Sequence, residues 1–400
     1  MKFSYKKVFL LGFGFFAVSI TWSVYNSFMP KILSTFTANA ALIGFIMTID
    51  NYLALFIQPL VGAYSDTHMT RFGRRMPFLL IGMPLAAFFL FLIPQYWNFA
   101  SLVVFLVLMN LSMSIFRSPV ISLMPDLTPL ELRSKSNSII NLMGGIGAVI
   151  AYFVGAILWD KNHAFPFYLS GVLVLISLII LFININEKRD SIYVNDTNET
   201  SSVSFKENVK IIFGSPKQHK NLITLLEAIC CYFIAYQGIE AFFSLYGEKY
   251  LGITVSQAAI SFTFISLSFL IFAIPAGVIG TKLGKKKTMV YGVSGLLLSF
   301  FIIAFIKSIL IIRILFIFCG FFWALININS YPFVVQMADK STIGAYTGFY
   351  YTASSIAAIL SPVLLGAIIN IFSYRYMFFY AVVFMILSLM LLLKVNNSGN

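Results

Sequence analysis

The stretch PLVGAYSDTHMTRFGRRMP, Pro59–Pro77, decides how the rest of the chain is read. It is a short polar loop carrying Arg71, Arg74 and Arg75, set between apolar runs near residues 40–64 and 77–94. Gly62 and Gly73 suit close helix approach and a tight turn. Crossing a bilayer core takes ~20 apolar residues, so each flanking run is long enough to span it. The stretch therefore reads as the basic loop of a hairpin of membrane helices. The same grammar returns later, where Pro275-Ala276-Gly277 ends an apolar run and Gly284-Lys285-Lys286 follows.

Composition agrees with that reading. Of 400 residues, 60% are hydrophobic and only 10% charged, with 43 Phe. A soluble domain carries about a quarter charged residues, so lipid is the solvent here and a soluble enzyme is excluded. Apolar runs fall near 8–30, 40–64, 77–94, 99–124, 136–158 and 165–185, then near 221–246, 256–280, 288–306, 309–334, 342–371 and 374–394. The expected fold is all-α: about twelve transmembrane helices in two six-helix halves, 1–185 and 221–400, joined by a polar cytoplasmic linker over 186–220. That linker has room for a short surface helix. Lys2, Lys6 and Lys7 before the first run resemble a signal-peptide start. The run is too long for one and lacks a cleavage site, so it is read as a retained first span.

The net charge of +13 is sorted by loop. Outer stretches and their helix ends hold only Lys31, Lys161, Lys249, Lys307, Arg313 and Arg375, Arg117 lies inside a helix, and the other basic residues fall in the alternate stretches. This sorting follows the positive-inside rule and places both termini and the linker in the cytoplasm, with the plasma membrane as the expected location. No nucleic-acid role is needed to explain the charge. Cys230, Cys231 and Cys319 sit in apolar runs and read as packing residues. His68, His163 and His219 fall in loops, no Walker A loop is present, and no metal site or cofactor is expected.

The segment GAYSDTHMTRFGRRMP (Gly62–Pro77) resembles the loop between the second and third helices of the major facilitator superfamily. The pattern SD-x(4)-RFGRR-x-P is similar to the glycoside–pentoside–hexuronide cation symporters, above all their sucrose-transporter-like branch. Further likeness lies in FRSPVISLMPDLTPLELRSKSN (Phe116–Asn137), YQGIEAFF (Tyr236–Phe243), WALININSYP (Trp323–Pro332) and TGFYYTASSIAAILSP (Thr347–Pro362). The resemblance implies a solute site between the halves near mid-membrane, a proton or sodium ion as coupling ion, and a sugar as solute. It also implies coupling carboxylates on the second helix. The melibiose-permease side of the family keeps them at positions matching Ala54 and Gln58, with Asp50 a turn away, so the implication carries over by helix and not by position. The branch's basic residue after the loop aspartate is Thr67 here, which weakens that part of the inner gate.

Within the loop, Asp66 can accept backbone N–H bonds at a helix N-terminus or pair with arginine. Asp66, Arg71, Gly73, Arg74 and Arg75 are read as gating residues, with Arg117 paired to Asp66 or Asp126. Arginine loops also simply orient a membrane protein, and the two roles are compatible.

Asp50 lies about ten residues into a helix entering from outside, ~15 Å deep. A bare charge there costs roughly 3 kcal/mol on the insertion scale, so it faces water, a partner or a proton. Asp50, Asn51 and Gln58 form the expected cation-coupling set. Glu227 sits near the inner end of the seventh helix. Glu240, thirteen residues on, shares a face with Tyr236 and Gln237, and that trio suits sugar hydroxyls. Trp22, Tyr25 and Asn26, then Trp323, Asn327 and Asn329, and Tyr350 complete the expected substrate set. Interface anchoring is the commoner role for any one such aromatic. Gly147, Ala151 and Gly155 read as a packing face.

The reading is a sugar or glycoside symporter working by alternating access, functional as a monomer in the bilayer. Alternatives are transport of another small organic solute, or a membrane sensor or enzyme. An enzyme would show a clustered catalytic set and a sensor a large cytoplasmic domain. Neither is visible in the sequence.

Overall fold

In a computed structural model, residues 5–129, 132–190, 219–338 and 342–396 are described, and every regular element among them is helical. Lipid offers no partner for exposed backbone N–H and C=O groups, so apolar runs of this length close their hydrogen bonds internally as helices. The first part of the chain holds α1 (Tyr5–Ser34), α2 (Ala40–Met47), α3 (Ile49–Thr67), α4 (Met76–Leu92), α5 (Phe99–Leu127), α6 (Arg133–Lys161), α7 (Phe165–Asn184) and the short α8 (Glu187–Asp190). The second holds α9 (Lys220–Tyr246), α10 (Val255–Leu283), α11 (Lys285–Ile303), α12 (Ile309–Gln336), α13 (Ile343–Ile371) and α14 (Met377–Lys394).

Among the described residues, 12 helices are long and apolar enough to cross a membrane, α2 and α3 counting as one span. Large apolar side chains stay exposed along them, as at Leu60 (70%), Ile274 (72%) and Ile371 (73%). An apolar surface of this kind has lipid as its natural solvent.

Contacts divide the chain into two compact units. One comprises Met1–Ala38, Ile46–Asp196 and Thr254–Thr263; the other comprises Asn39–Phe45, Thr197–Ile253 and Phe264–Asn400. In the first unit, α1 packs along α6. The expected glycine face is there: a Cβ on Gly147 would stand 2.8 Å from the Phe16 carbonyl oxygen, and one on Gly155 would meet the Phe28 ring at 3.2 Å. The start of α10 belongs to this unit through the Ser256 hydroxyl, which donates to Asp160. In the second unit, α9 packs with α13 and α14, and α11 with α12. Residues 39–45 join it through Asn370, whose Oδ1 accepts the Ala40 N–H at 2.7 Å.

Two expectations are corrected. The second span is not continuous: it breaks at Thr48, whose carbonyl accepts the Asn51 N–H at 3.0 Å. The stretch read as linker from residue 186 begins inside the first unit, because Glu187 and Asp190 are buried there. The Asp190 carboxylate takes the Lys7 ammonium at 2.7 Å and Arg189 Nε at 3.1 Å. Burial opposes its ionisation, but these cations hold its pKa below the usual aspartate value. The linker over 191–218 lies outside the described residues.

Candidate functional site

The loop between α3 and α4 is organised by Arg75, which sits buried at the start of α4. Its guanidinium bonds Asp126 Oδ2 from Nε at 3.0 Å, and it also donates to Asp66 and to the Ser65 hydroxyl. Arg74 stands 3.9 Å from the same Asp126 oxygen, while Arg71 lies over the Phe72 ring at 4.6 Å. A guanidinium shared between carboxylates from α3 and α5 ties three helices at one end of the unit. Desolvation disfavours the charge on Arg75, and Asp126 and Asp66 more than offset it. The side chain of Thr67 lies outside the described residues.

Asp66 serves the arginine and not the backbone. The helix N-terminus is met by Glu187, whose oxygens accept the N–H groups of Arg74 at 2.8 Å, Arg75 at 2.9 Å and Met76 at 3.0 Å. Those are orphan donors at the positive end of the α4 dipole, where a carboxylate is favoured. Gly73 makes this possible: it holds φ +117°, and a Cβ there would lie 2.3 Å from Glu187 Oε2. The sequence reading missed Glu187. Its only signal was an acid directly after an apolar run.

Arg117 corrects a further expectation. Of the two partners expected for it, Asp126 is out of reach, nine residues on along the same helix and ~13 Å away. Its guanidinium stands 6.0 Å from the Trp22 ring centroid and acts electrostatically on Asp50. Asp50 is half-buried in the first turn of α3, just past the break, and accepts from the Asn51 amide at 2.9 Å. A helix start favours that negative charge.

Tyr25 lies within electrostatic reach of Asp50 and beside Asn110, and its hydroxyl reaches the Ile46 carbonyl at 3.4 Å. Trp22 meets Tyr25 edge-on at 5.7 Å. Asn26 is half-buried on the same helix. Gln58, two turns along α3, keeps a buried Nε2 with no partner among the described residues. The first unit thus brings Trp22, Tyr25, Asp50, Asn51 and Arg117 into one polar cluster.

The second unit gathers a different set. Tyr236 on α9 stacks on Trp323 of α12 at 3.9 Å with planes 3° apart, and Phe233 meets the same indole edge-on at 5.6 Å. Glu240 lies near enough to act electrostatically on Tyr236, and both it and Gln237 are half-buried. The Tyr350 hydroxyl is 3.2 Å from that of Ser330. Asn327 is half-buried, and its carbonyl accepts from Ser330.

Asn329 departs from the expected substrate set. Its Nδ2 donates to the carbonyls of Ala276 at 3.1 Å and Leu325 at 2.9 Å, and its amide fills the space a Gly280 side chain would need. It joins α10 to α12 as a packing residue. Glu227 is exposed.

A profile described as Major Facilitator Superfamily matches residues 11–361 and again 228–400. An uncharacterised MFS-type transporter of Methanocaldococcus jannaschii is 23% identical, covering 98% of this chain and 95% of its own length. The proton-associated sugar transporter A of Mus musculus is 28% identical over 37% of this chain, a match spanning 22% of that longer protein. Among solved structures, a single-site variant of the nucleoside transporter NupG superposes with a TM-score of 0.78 at 15% identity. That match covers 97% of this chain and 98% of the other.

Proposed function

This chain belongs to the Major Facilitator Superfamily, whose members are membrane transporters and not enzymes, and we propose that it is a secondary transporter coupling a sugar or glycoside to a cation. The observation that carries this is the division of polar chemistry between the units. The first holds an acid and a guanidinium within the membrane span, and the second a stacked aromatic pair beside a carboxylate and an amide.

A carboxylate inside a span is costly unless a charge meets it. Arg117 is that charge when Asp50 is ionised, and an entering proton or sodium ion takes over the task. Ion binding then frees the guanidinium for other partners. That is a differential interaction between two states of the protein, which is what coupling requires. In the second unit, Glu240 and Gln237 offer acceptors and donors to hydroxyls, while the aromatic faces offer an apolar plate to ring C–H groups.

Arg75, Asp66 and Asp126 hold one arrangement at the inner end. Breaking and remaking that cluster biases the exchange between inward-open and outward-open states. The likeness to a proton-associated sugar transporter supports this reading, as does the resemblance of the Gly62–Pro77 segment to the sucrose-transporter-like branch.

The test is counterflow in proteoliposomes of the purified protein, with labelled glucose, sucrose, maltose and uridine. Sugar counterflow that uridine does not inhibit is expected. Uridine counterflow without any sugar response overturns the substrate.

A further inference from the structure

Asn110 lies midway along α5 and is fully buried. Neither its Oδ1 nor its Nδ2 has a hydrogen-bond partner among the described residues. The Tyr25 hydroxyl stands beside the amide and reaches the Ile46 carbonyl at 3.4 Å. Buried polar groups are paired almost without exception, so a whole orphaned amide calls for an explanation.

A second orphan stands nearby on α1: the indole Nε1 of Trp22, also buried and unmet. Tyr25, one helical turn from Trp22, connects the two, and Arg117, two turns along α5 from Asn110 and on the same face, stands over the Trp22 ring. The orphans therefore converge on one wall of the first unit, next to the Asp50–Arg117 pair.

Their chemistry points to a class of ligand. An amide sets two donors beside an acceptor, and an indole adds one donor; none carries charge. The formal charges in the cluster already balance through Asp50 and Arg117. What remains to be met is a set of neutral donor and acceptor positions, and hydroxyls, which both give and accept, fit it.

We propose that Asn110 is a substrate-binding residue that sets specificity for a neutral, hydroxyl-rich solute. The proposal rests on the transport reading above and adds a residue of the first unit to a substrate set otherwise argued from the second.

The experiment uses the purified full chain with Asn110→Val, and Asn110→Ala as a second variant should the branched side chain disturb α5. Thermal unfolding is measured without ligand, and equilibrium binding with glucose, sucrose, maltose and uridine. Replacing an unmet buried amide by an apolar group leaves the ligand-free protein as stable as wild type or more so. Affinity for the responding sugar falls about tenfold or more, one lost hydrogen bond of ~1.4 kcal/mol being a factor of ten.

If both variants unfold at a lower temperature without ligand, the amide is paired within the fold and the proposal is overturned. Affinity equal to wild type in both variants overturns it as well. Should the wild type bind uridine and no sugar, the sugar reading fails while Asn110 is judged on uridine by the same criteria.

Discussion

A carboxylate within a membrane span is costly without a compensating charge, and the Arg117 guanidinium acts electrostatically on Asp50. The proposed ion coupling through this residue has a direct consequence. Asp50→Asn removes the group that changes charge on ion binding but keeps its size and much of its hydrogen bonding. Accumulation against a gradient should then vanish while exchange of sugar across the membrane persists, as measured by paired uptake and exchange assays in proteoliposomes. Uphill uptake by this variant would move the coupling role elsewhere, with Glu240 next in line. Glu240 itself should act on affinity. A hydrogen bond to a charged group contributes about 1.5–3 kcal/mol, so Glu240→Gln should weaken sugar binding by roughly ten- to 150-fold. Binding at wild-type strength would remove Glu240 from the site.

At the scale of elements, the end of the first unit that carries Arg75 depends on contacts distant in sequence. Glu187 caps α4 from 113 residues away, and Asp190 beside it anchors Lys7 of α1. Glu187→Ala would strip three N–H groups of their acceptor. A loss of about 3 kcal/mol or more in stability follows, at 1–3 kcal/mol for each buried donor left unmet. Thermal unfolding of the variant checks this, and an unchanged midpoint would show that water meets those donors. The spans were legible in the sequence because an apolar run of twenty residues has one solution in lipid. Asp50 was legible because an acid in such a run has no neutral explanation. Glu187 was not, since a cap is defined by a partner that only the folded chain brings near. The break at Thr48 carried no glycine or proline to announce it. Asn110 was not legible either, because a lone amide in an apolar helix carries no sign of whether the fold will pair it, as it pairs Asn329.

For the whole molecule, the sorting of basic residues predicts a topology with both termini in the cytoplasm. A cysteine placed at Asn162 should be labelled only from outside, and cysteines at Ser202 and Lys340 only from within. Labelling of Ser202 from outside would invert the arrangement. Both of the latter positions lie outside the described residues, so this prediction stands on charge alone. The central claim, that an ion gradient drives a sugar uphill, is tested most directly by uptake into proteoliposomes under an imposed proton or sodium gradient, using the sugar that shows counterflow. The account predicts internal sugar rising above the external concentration under one of the two gradients and collapsing when that gradient is dissipated. Equilibration without accumulation under both would make the protein a facilitator and contradict it.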